Sequence, residues 1–286
     1  MLAMSLMLGL LIILTVLASS YSSPLPECTE GDLLKYWRLL IQNNIIPDEA
    51  RFVLKQYPSV RYRGNKFISQ FRTMNNQTVL GKKRLTAVKK SFNLDEFLTI
   101  VREAQEAKSF SQQRSRPFNN ICQTGLGVGI SSVAFLCALR QDNVVVQSFD
   151  SGQDDIIILA DKLISQLFPR RHQLIVGSSD LSIPEQGVIQ SFRCDFVFLD
   201  GSSTYESIFL DIKNLRGIAN SGSTIMIPYC NVGHKYSVMG GAPTYSKAYT
   251  DAMKNGWVKH LKQISLQCDG NAKNDKCREF CVGVML

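Results

Sequence analysis

From Asn119 to the C-terminus, short apolar runs alternate with stretches of helical periodicity, and this alternation restricts the fold more than any other feature. Runs at 121–124, 144–149, 172–176 and 196–199 are each followed by a helical pattern, at 131–140, 154–167, 184–190 and 204–219. A fifth run, 224–227, precedes a helix at 245–255; two more, 257–266 and 280–286, end the chain with no helix between them. Strands joined through helices run parallel, because a right-handed crossover returns the chain to the same end of the sheet. Helices then cover both faces, which is why the runs are apolar throughout instead of alternating. The last two runs read as an antiparallel hairpin at one edge. The predicted fold class is α/β, a doubly wound seven-stranded sandwich with a helical N-terminal extension. A ligand of such a sheet sits beyond the carboxyl ends of its strands.

The residues before Asn119 have another texture. No Asp, Glu, Lys, Arg or His occurs from Met1 to Pro26, and an apolar run over 6–18 leads into Ala18, Ser19 and Ser20. That layout reads as a secretory signal peptide, 1–20, although its n-region has no Lys or Arg. The alternatives are a buried helix or an uncleaved anchor, for which the run is short against a bilayer core of roughly 30 Å. Asn76-Gln-Thr78 is a glycosylation acceptor sequence and points to the same secreted or lumenal setting. Eight cysteines suffice for several disulfides in an oxidising lumen, with Cys268, Cys277 and Cys281 crowded near the C-terminus and Cys28 near the other end. Zinc ligation by Cys277 and Cys281 is the rival reading, weakened by the lack of a second ligand pair nearby. Spacing does not reveal the connectivity.

Residues 27–116 read as a helical extension. Leu33, Leu34, Trp37, Leu40 and Ile41 recur at helical spacing after Thr29 and Asp32, and further helices are expected at 48–56 and 95–108. Arg61, Arg63, Lys66, Lys82, Lys83, Arg84, Lys89 and Lys90 carry much of the net charge of +8. They form either a surface for an acidic partner or a solvated face. The second is preferred: the aromatic residues among them do not follow a nucleic-acid pattern, and a secreted address also argues against nucleic acid. The remaining 117–286 form the α/β domain. With 45% apolar and 20% charged residues, wholesale disorder is excluded.

The chemistry gathers after the first run. In Ile121-Cys-Gln-Thr-Gly-Leu-Gly-Val-Gly129, Gly125, Gly127 and Gly129 let the backbone turn tightly and approach a ligand closely. The helix that follows aims free N–H groups at a carboxylate or phosphate. Asp150 ends the second run, where an acid accepts both hydroxyls of a ribose. Glycines and acid together suit an adenosyl cofactor, whether a nicotinamide dinucleotide or S-adenosylmethionine. A nicotinamide-dependent oxidoreductase would need a dinucleotide fingerprint and a catalytic Tyr/Lys pair, and neither is found.

The segments Val176-Gly-Ser-Ser179, Cys194-Asp-Phe-Val-Phe-Leu-Asp-Gly-Ser-Ser-Thr-Tyr205 and Asp211-Ile-Lys-Asn214 resemble the class I S-adenosylmethionine-dependent methyltransferases, within them the small-molecule O-methyltransferase-like type. The resemblance covers about 119–257 and is most specific around Asp200. It implies a Rossmann-like methyltransferase sandwich with S-adenosylmethionine as cofactor. It also implies that Gln123, Gly125, Gly127 and Gly129 hold the methionine moiety, that Asp150 holds the ribose, and that Ser178 and Ser179 border the adenine. For catalysis Asp200 and His234 are the candidate bases, with Tyr205 or Tyr229 on the acceptor side and a Gly/Tyr-rich loop over 231–243 as a candidate lid. The structural alternatives are that Asp200 caps the turn at Gly201, that His234 is a solvated loop residue and that Tyr205 packs under the helix at 204–219.

Several positions depart from the pattern. Gln123 and Ser178 replace acids, Ser203 stands where the family has His, and Ile227-Pro-Tyr-Cys230 replaces an end that is acidic in metal-using members. A divalent ion needs several hard oxygen ligands, so no metal is expected. The resulting expectation is metal-independent methyl transfer to an unidentified small-molecule or secreted acceptor, with membrane contact only if the N-terminal run is an anchor. The alternative is a catalytically silent binding or structural protein that kept the sandwich.

Overall fold

The computed structural model describes residues 35–36, 39–40, 94–153, 155–189, 192–232, 242–266 and 279–286. The expected signal peptide, the Asn76 acceptor site, the helix at 48–56, the basic residues of 61–90, and Cys28, Cys268 and Cys277 lie outside them.

One seven-stranded sheet organises the rest. Its strands are β1 (Asn120–Thr124), β2 (Val145–Asp150), β3 (His172–Val176), β4 (Cys194–Leu199), β5 (Ala219–Pro228), β6 (Val258–Ser265) and β7 (Glu279–Met285). Their order is β3-β2-β1-β4-β5-β7-β6. β1 to β5 run parallel, while β7 lies antiparallel between β5 and β6. The expected terminal hairpin is therefore present, with its second strand inserted inward. The helices are α1 (Leu94–Gln113), α2 (Ile130–Ala138), α3 (Asp155–Leu167), α4 (Ser179–Ile189), α5 (Tyr205–Ile218) and α6 (Ala242–Lys254). This is the Rossmann-like sandwich read from the sequence.

Side chains alternate across the pleat and build two cores. Ile121, Phe196 and Phe198 pack with Phe135, Ile164, Phe97 and Ile100 of α1–α3. Cys122, Val197 and Ile225 face Ile183, Ile208, Ile212 and Tyr249 of α4–α6. All six residues of β4 are buried, as a central parallel strand requires. Helix α1 belongs to this packing: burying Phe97 and Ile100 contributes about 1.5–3 kcal/mol each. Glu103, itself buried, and Glu106 also meet Lys262 of β6 at 3.0 and 2.5 Å, which ties α1 to the sheet edge. Tyr36 and Leu40 are buried in the same core.

Boundaries differ from the sequence reading in one instructive place. Helix α4 begins at Ser179, five residues before the expected start at Pro184. Proline lacks the N–H that would satisfy the carbonyl four residues earlier. That carbonyl, of Asp180, instead accepts a hydrogen bond from Asn214 Nδ2 of α5 at 3.4 Å. A neighbouring helix thus compensates for what would otherwise break the turn.

Disulfides join Cys122 of β1 to Cys194 of β4, and Cys230 after β5 to Cys281 of β7. With its sulfur in a disulfide, Cys281 is not a zinc ligand, so that rival reading falls. Among the described residues, no helix is long and apolar enough to cross a membrane.

Candidate functional site

The sheet reverses direction at β1: the chain moves outward through β2 and β3, then crosses back to β4 on the other side. The crevice at such a switch point, beyond the carboxyl ends of β1, β2 and β4, is where an open α/β sheet binds ligands. The Gly loop, Asp150 and Asp200 all lie at these ends.

Gly125 has φ +78°, and a Cβ there would lie 2.5 Å from the Asp200 carbonyl oxygen and 2.7 Å from Gly201 Cα. The loop therefore rests directly on backbone at the end of β4. Gly129, at φ +82°, lies against Ile164 and the Tyr36 hydroxyl. Tyr36 donates that hydroxyl to the Val128 carbonyl at 2.7 Å, and burial raises its pKa far above the usual phenol range. Gly127 is exposed, with nothing within 4 Å of where a Cβ would be, so it faces open space. Gly129 caps α2 without a side-chain hydrogen bond. The first N–H groups of a helix have no acceptor within it, which suits them to an anion.

Asp150 is partly exposed and closes the other side. Its Oδ2 accepts the Leu126 N–H at 2.7 Å and its Oδ1 accepts the Gly152 N–H at 3.1 Å. Each carboxylate oxygen keeps a second lone pair for a ligand hydroxyl. Gln123 is placed differently. It is fully buried, donating from Nε2 to Ser132 and Ser148 at 2.7 and 2.9 Å and accepting from Ser131 at 3.0 Å. Its polar atoms are directed into the protein.

Ser178 is exposed and hydrogen-bonds Asp180. Ser179 donates to Asp211 Oδ1 at 2.6 Å. Asp211, part of a segment that carried the resemblance but given no role there, is an acid on the apolar stripe Ile208, Ile212, Leu215 of α5. Burial pushes its carboxyl up to about 6, against the opposing effect of the Ser179 hydrogen bond. Its signal was available, since a charged residue at a core position is seldom there without a purpose. Because the folded-state value exceeds that of an unfolded chain, about 3.9, this group favours the fold when protonated. Stability should fall as pH rises from about 4 to 6. Asp211→Asn is expected to remove that dependence and to melt higher than the native protein at pH 7.5. Equal melting temperatures for the two at both pH 5 and pH 7.5 would contradict the assignment.

On the far side of the crevice, Asp200 donates its N–H to the Thr124 carbonyl at 3.0 Å. The segment after it is held by α6: Tyr245 donates to the Ser202 carbonyl at 2.5 Å and Thr244 to the Ser203 carbonyl at 3.1 Å. Tyr229 follows β5 at φ +57°, a left-handed conformation uncommon for a non-glycine residue, with its ring 5.7 Å from that of Tyr245. The Tyr205 hydroxyl points to Asp251 Oδ2 at 3.0 Å, and Lys247 Nζ lies 3.7 Å from the centre of its ring. Burial at the α5–α6 seam, followed by the Asp251 hydrogen bond, raises the Tyr205 phenol pKa. His234 and Gly233, Gly240 and Gly241 lie outside the described residues. Among the described residues, no group of three or more His, Cys, Asp or Glu side chains could hold a metal ion.

No protein-family profile matches the sequence, and no curated protein resembles it. Solved structures do. The O-methyltransferase from Bacillus cereus in complex with SAH superposes with a TM-score of 0.55 at 13% identity, over 82% of this chain and 97% of that one. Cofactor-bound Rv0187 from MTB gives a TM-score of 0.53 at 13% identity, over 73% of this chain and 92% of that one. At such identities the likeness is one of fold: this chain has the class I methyltransferase fold.

Proposed function

We propose that the crevice binds S-adenosylmethionine and that the protein transfers its methyl group to a small-molecule or secreted acceptor without a metal. The observation that carries this reading is the convergence of three ligand-ready features at one switch point. They are the open face at Gly127, the uncapped N-terminus of α2, and the Asp150 carboxylate with lone pairs to spare. Together they suit a ligand with a carboxylate at one end and a vicinal diol at the other, and the SAH of the superposable Bacillus cereus O-methyltransferase fits that description.

Bound S-adenosylmethionine would supply an activated methyl group on a sulfonium. This chain's own task is then alignment, since holding nucleophile and methyl in line accounts for much of such a reaction's acceleration. The α2 N–H groups would hold the carboxylate and Asp150 the ribose hydroxyls. Ser178 and Ser179 follow β3 on the side where the adenine would lie. Asp200, just after β4, would accept a proton from a hydroxyl acceptor, with Tyr229 on the acceptor side. His234 is the other candidate base.

A second reading, a catalytically silent binding or structural protein, is favoured by two side chains already engaged internally. Gln123 is spent on serines, and the Tyr205 hydroxyl is tied to Asp251. Titration calorimetry with S-adenosylhomocysteine, followed by incubation of methyl-labelled S-adenosylmethionine with acceptor mixtures, separates the readings. Binding with label transfer supports the enzyme, and no binding at millimolar ligand refutes it in favour of the silent protein; binding without transfer supports a silent binding protein. We place the protein in the secretory route. The two core disulfides and the N-terminal apolar run support this, and mass spectrometry of culture medium for a chain starting near Tyr21 tests it.

A further inference from the structure

Beneath the Gly loop lies a chain of buried polar side chains that no step above uses. His172 of β3 has a fully buried ring. Its Nδ1 lies 2.7 Å from Asp161 Oδ1 of α3 and its Nε2 2.8 Å from Ser148 Oγ of β2. Ser132 Oγ of α2 is 3.3 Å from the same Nε2 and 3.3 Å from Ser148 Oγ. Gln123 of β1 joins both serines through Nε2 and receives the Ser131 hydroxyl on Oε1. Only the two ends approach solvent: Asp161 is 29% exposed, and Ser131 is half-buried in the first turn of α2.

The donors and acceptors close in one way when the imidazole is neutral. Nδ1–H donates to Asp161, Ser148 O–H donates to Nε2, and the two Gln123 amide hydrogens go to Ser132 and Ser148. Ser131 and Ser132 are thereby fixed to β1, and with them the turn whose N–H groups face the crevice. The inward-turned Gln123 is thus a structural tie.

We propose that His172 is a positioning residue for the crevice, acting through Ser148 and Gln123 on the first turn of α2. The proposal rests on the cofactor reading above for its ligand. A proton added at Nε2 would turn that nitrogen into a donor. Ser148 Oγ would have to accept from it while still accepting from Gln123, and its own proton would be left only the 3.3 Å contact to Ser132. The groups facing the ring are Asp161 from α3, Ser132 from α2, Ser148 from β2 and Gln123 from β1, with the Tyr36 phenol beside Asp161. The acceptor that Nε2 offers to Ser148 is therefore what keeps the first turn of α2 in order.

The test measures S-adenosylhomocysteine affinity for the native protein, Ser148→Ala, His172→Leu and His172→Gln. Ser148→Ala is expected to bind about tenfold more weakly, the worth of roughly one buried hydrogen bond. His172→Leu offers Ser148 no acceptor and should weaken binding by a similar factor. His172→Gln keeps an oxygen that accepts from Ser148, so it should bind nearly as the native protein does. Native affinity in Ser148→Ala or His172→Leu, or a His172→Gln protein that binds as weakly as His172→Leu, overturns the proposal. If the native protein binds no S-adenosylhomocysteine, the cofactor reading fails and the relay is judged by amide hydrogen exchange. Faster exchange at 130–133 in Ser148→Ala then supports it, and unchanged exchange refutes it.

Discussion

Replacing Asp150 with alanine is expected to weaken S-adenosylhomocysteine binding at least about a hundredfold while the protein stays folded. The carboxylate has two duties in the crevice. It anchors the Gly loop through the Leu126 and Gly152 N–H groups, and in the function proposed above it would offer its remaining lone pairs to a diol. Hydrogen bonds to a charged group contribute about 1.5–3 kcal/mol each. Losing two to the ligand costs about 3–6 kcal/mol, and each 1.4 kcal/mol is a factor of ten in affinity. The fold loses less, because Asp150 is only half-buried and water can reach the two amides it leaves. A drop of about 1–2 kcal/mol in stability is expected. Asp150→Asn should share most of the binding defect: it has one acceptor oxygen, and its NH2 would face a backbone N–H. Calorimetry beside thermal melting reads both effects, and an Asp150→Ala protein that binds as tightly as the native one would remove this residue from the site.

What the sequence made legible was what depends on neighbours in the chain. Periodicity located the seven strands and the helices between them, because burial on both faces of a parallel sheet leaves long apolar runs. Gly125, Gly127, Gly129 and Asp150 were visible because a turn at a strand end has a local signature. Contacts across the sheet left no such signature. Gln123, Ser132, Ser148, Asp161 and His172 each look ordinary in sequence, and only strand register brings β1, β2 and β3 together so that their side chains meet. Disulfide connectivity was hidden for the same reason, since Cys122 and Cys194 are 72 residues apart. Pro184 misled more simply: it marks a helix start in most contexts, whereas here Asn214 of another helix takes the carbonyl that proline leaves free.

Gly125→Ala and Gly127→Ala should differ sharply, although the two glycines sit in the same turn. Both have positive φ, +78° and +54°, which costs an alanine about 1–2 kcal/mol. At Gly127 that is the whole effect on the fold, since the new methyl meets nothing within 4 Å. At Gly125 the methyl would lie 2.5 Å from the Asp200 carbonyl oxygen, 2.7 Å from Gly201 Cα and 2.9 Å from the Asp200 carbonyl carbon. All three are backbone atoms, so no side-chain rotation relieves them. Relief requires β1 and β4 to part at their carboxyl ends, against the hydrogen bond from Asp200 N–H to the Thr124 carbonyl at 3.0 Å. The Cys122–Cys194 disulfide holds the same two strands together. A further 2–3 kcal/mol or so is expected from overpacking at so rigid a point, and a kilocalorie shifts the melting temperature by about 2–4 °C in a protein near this size. Gly125→Ala should therefore melt roughly 8–15 °C lower and Gly127→Ala only a few degrees lower. Ligand affinity should order them differently. The Gly127 methyl projects into open space, where the proposed ligand would lie, so Gly127→Ala should bind S-adenosylhomocysteine at least about tenfold more weakly despite its sound fold. Similar melting temperatures for the two variants would mean that the loop does not rest on β4 as described. Undiminished binding by Gly127→Ala would mean that the open space at that residue is not where the ligand lies.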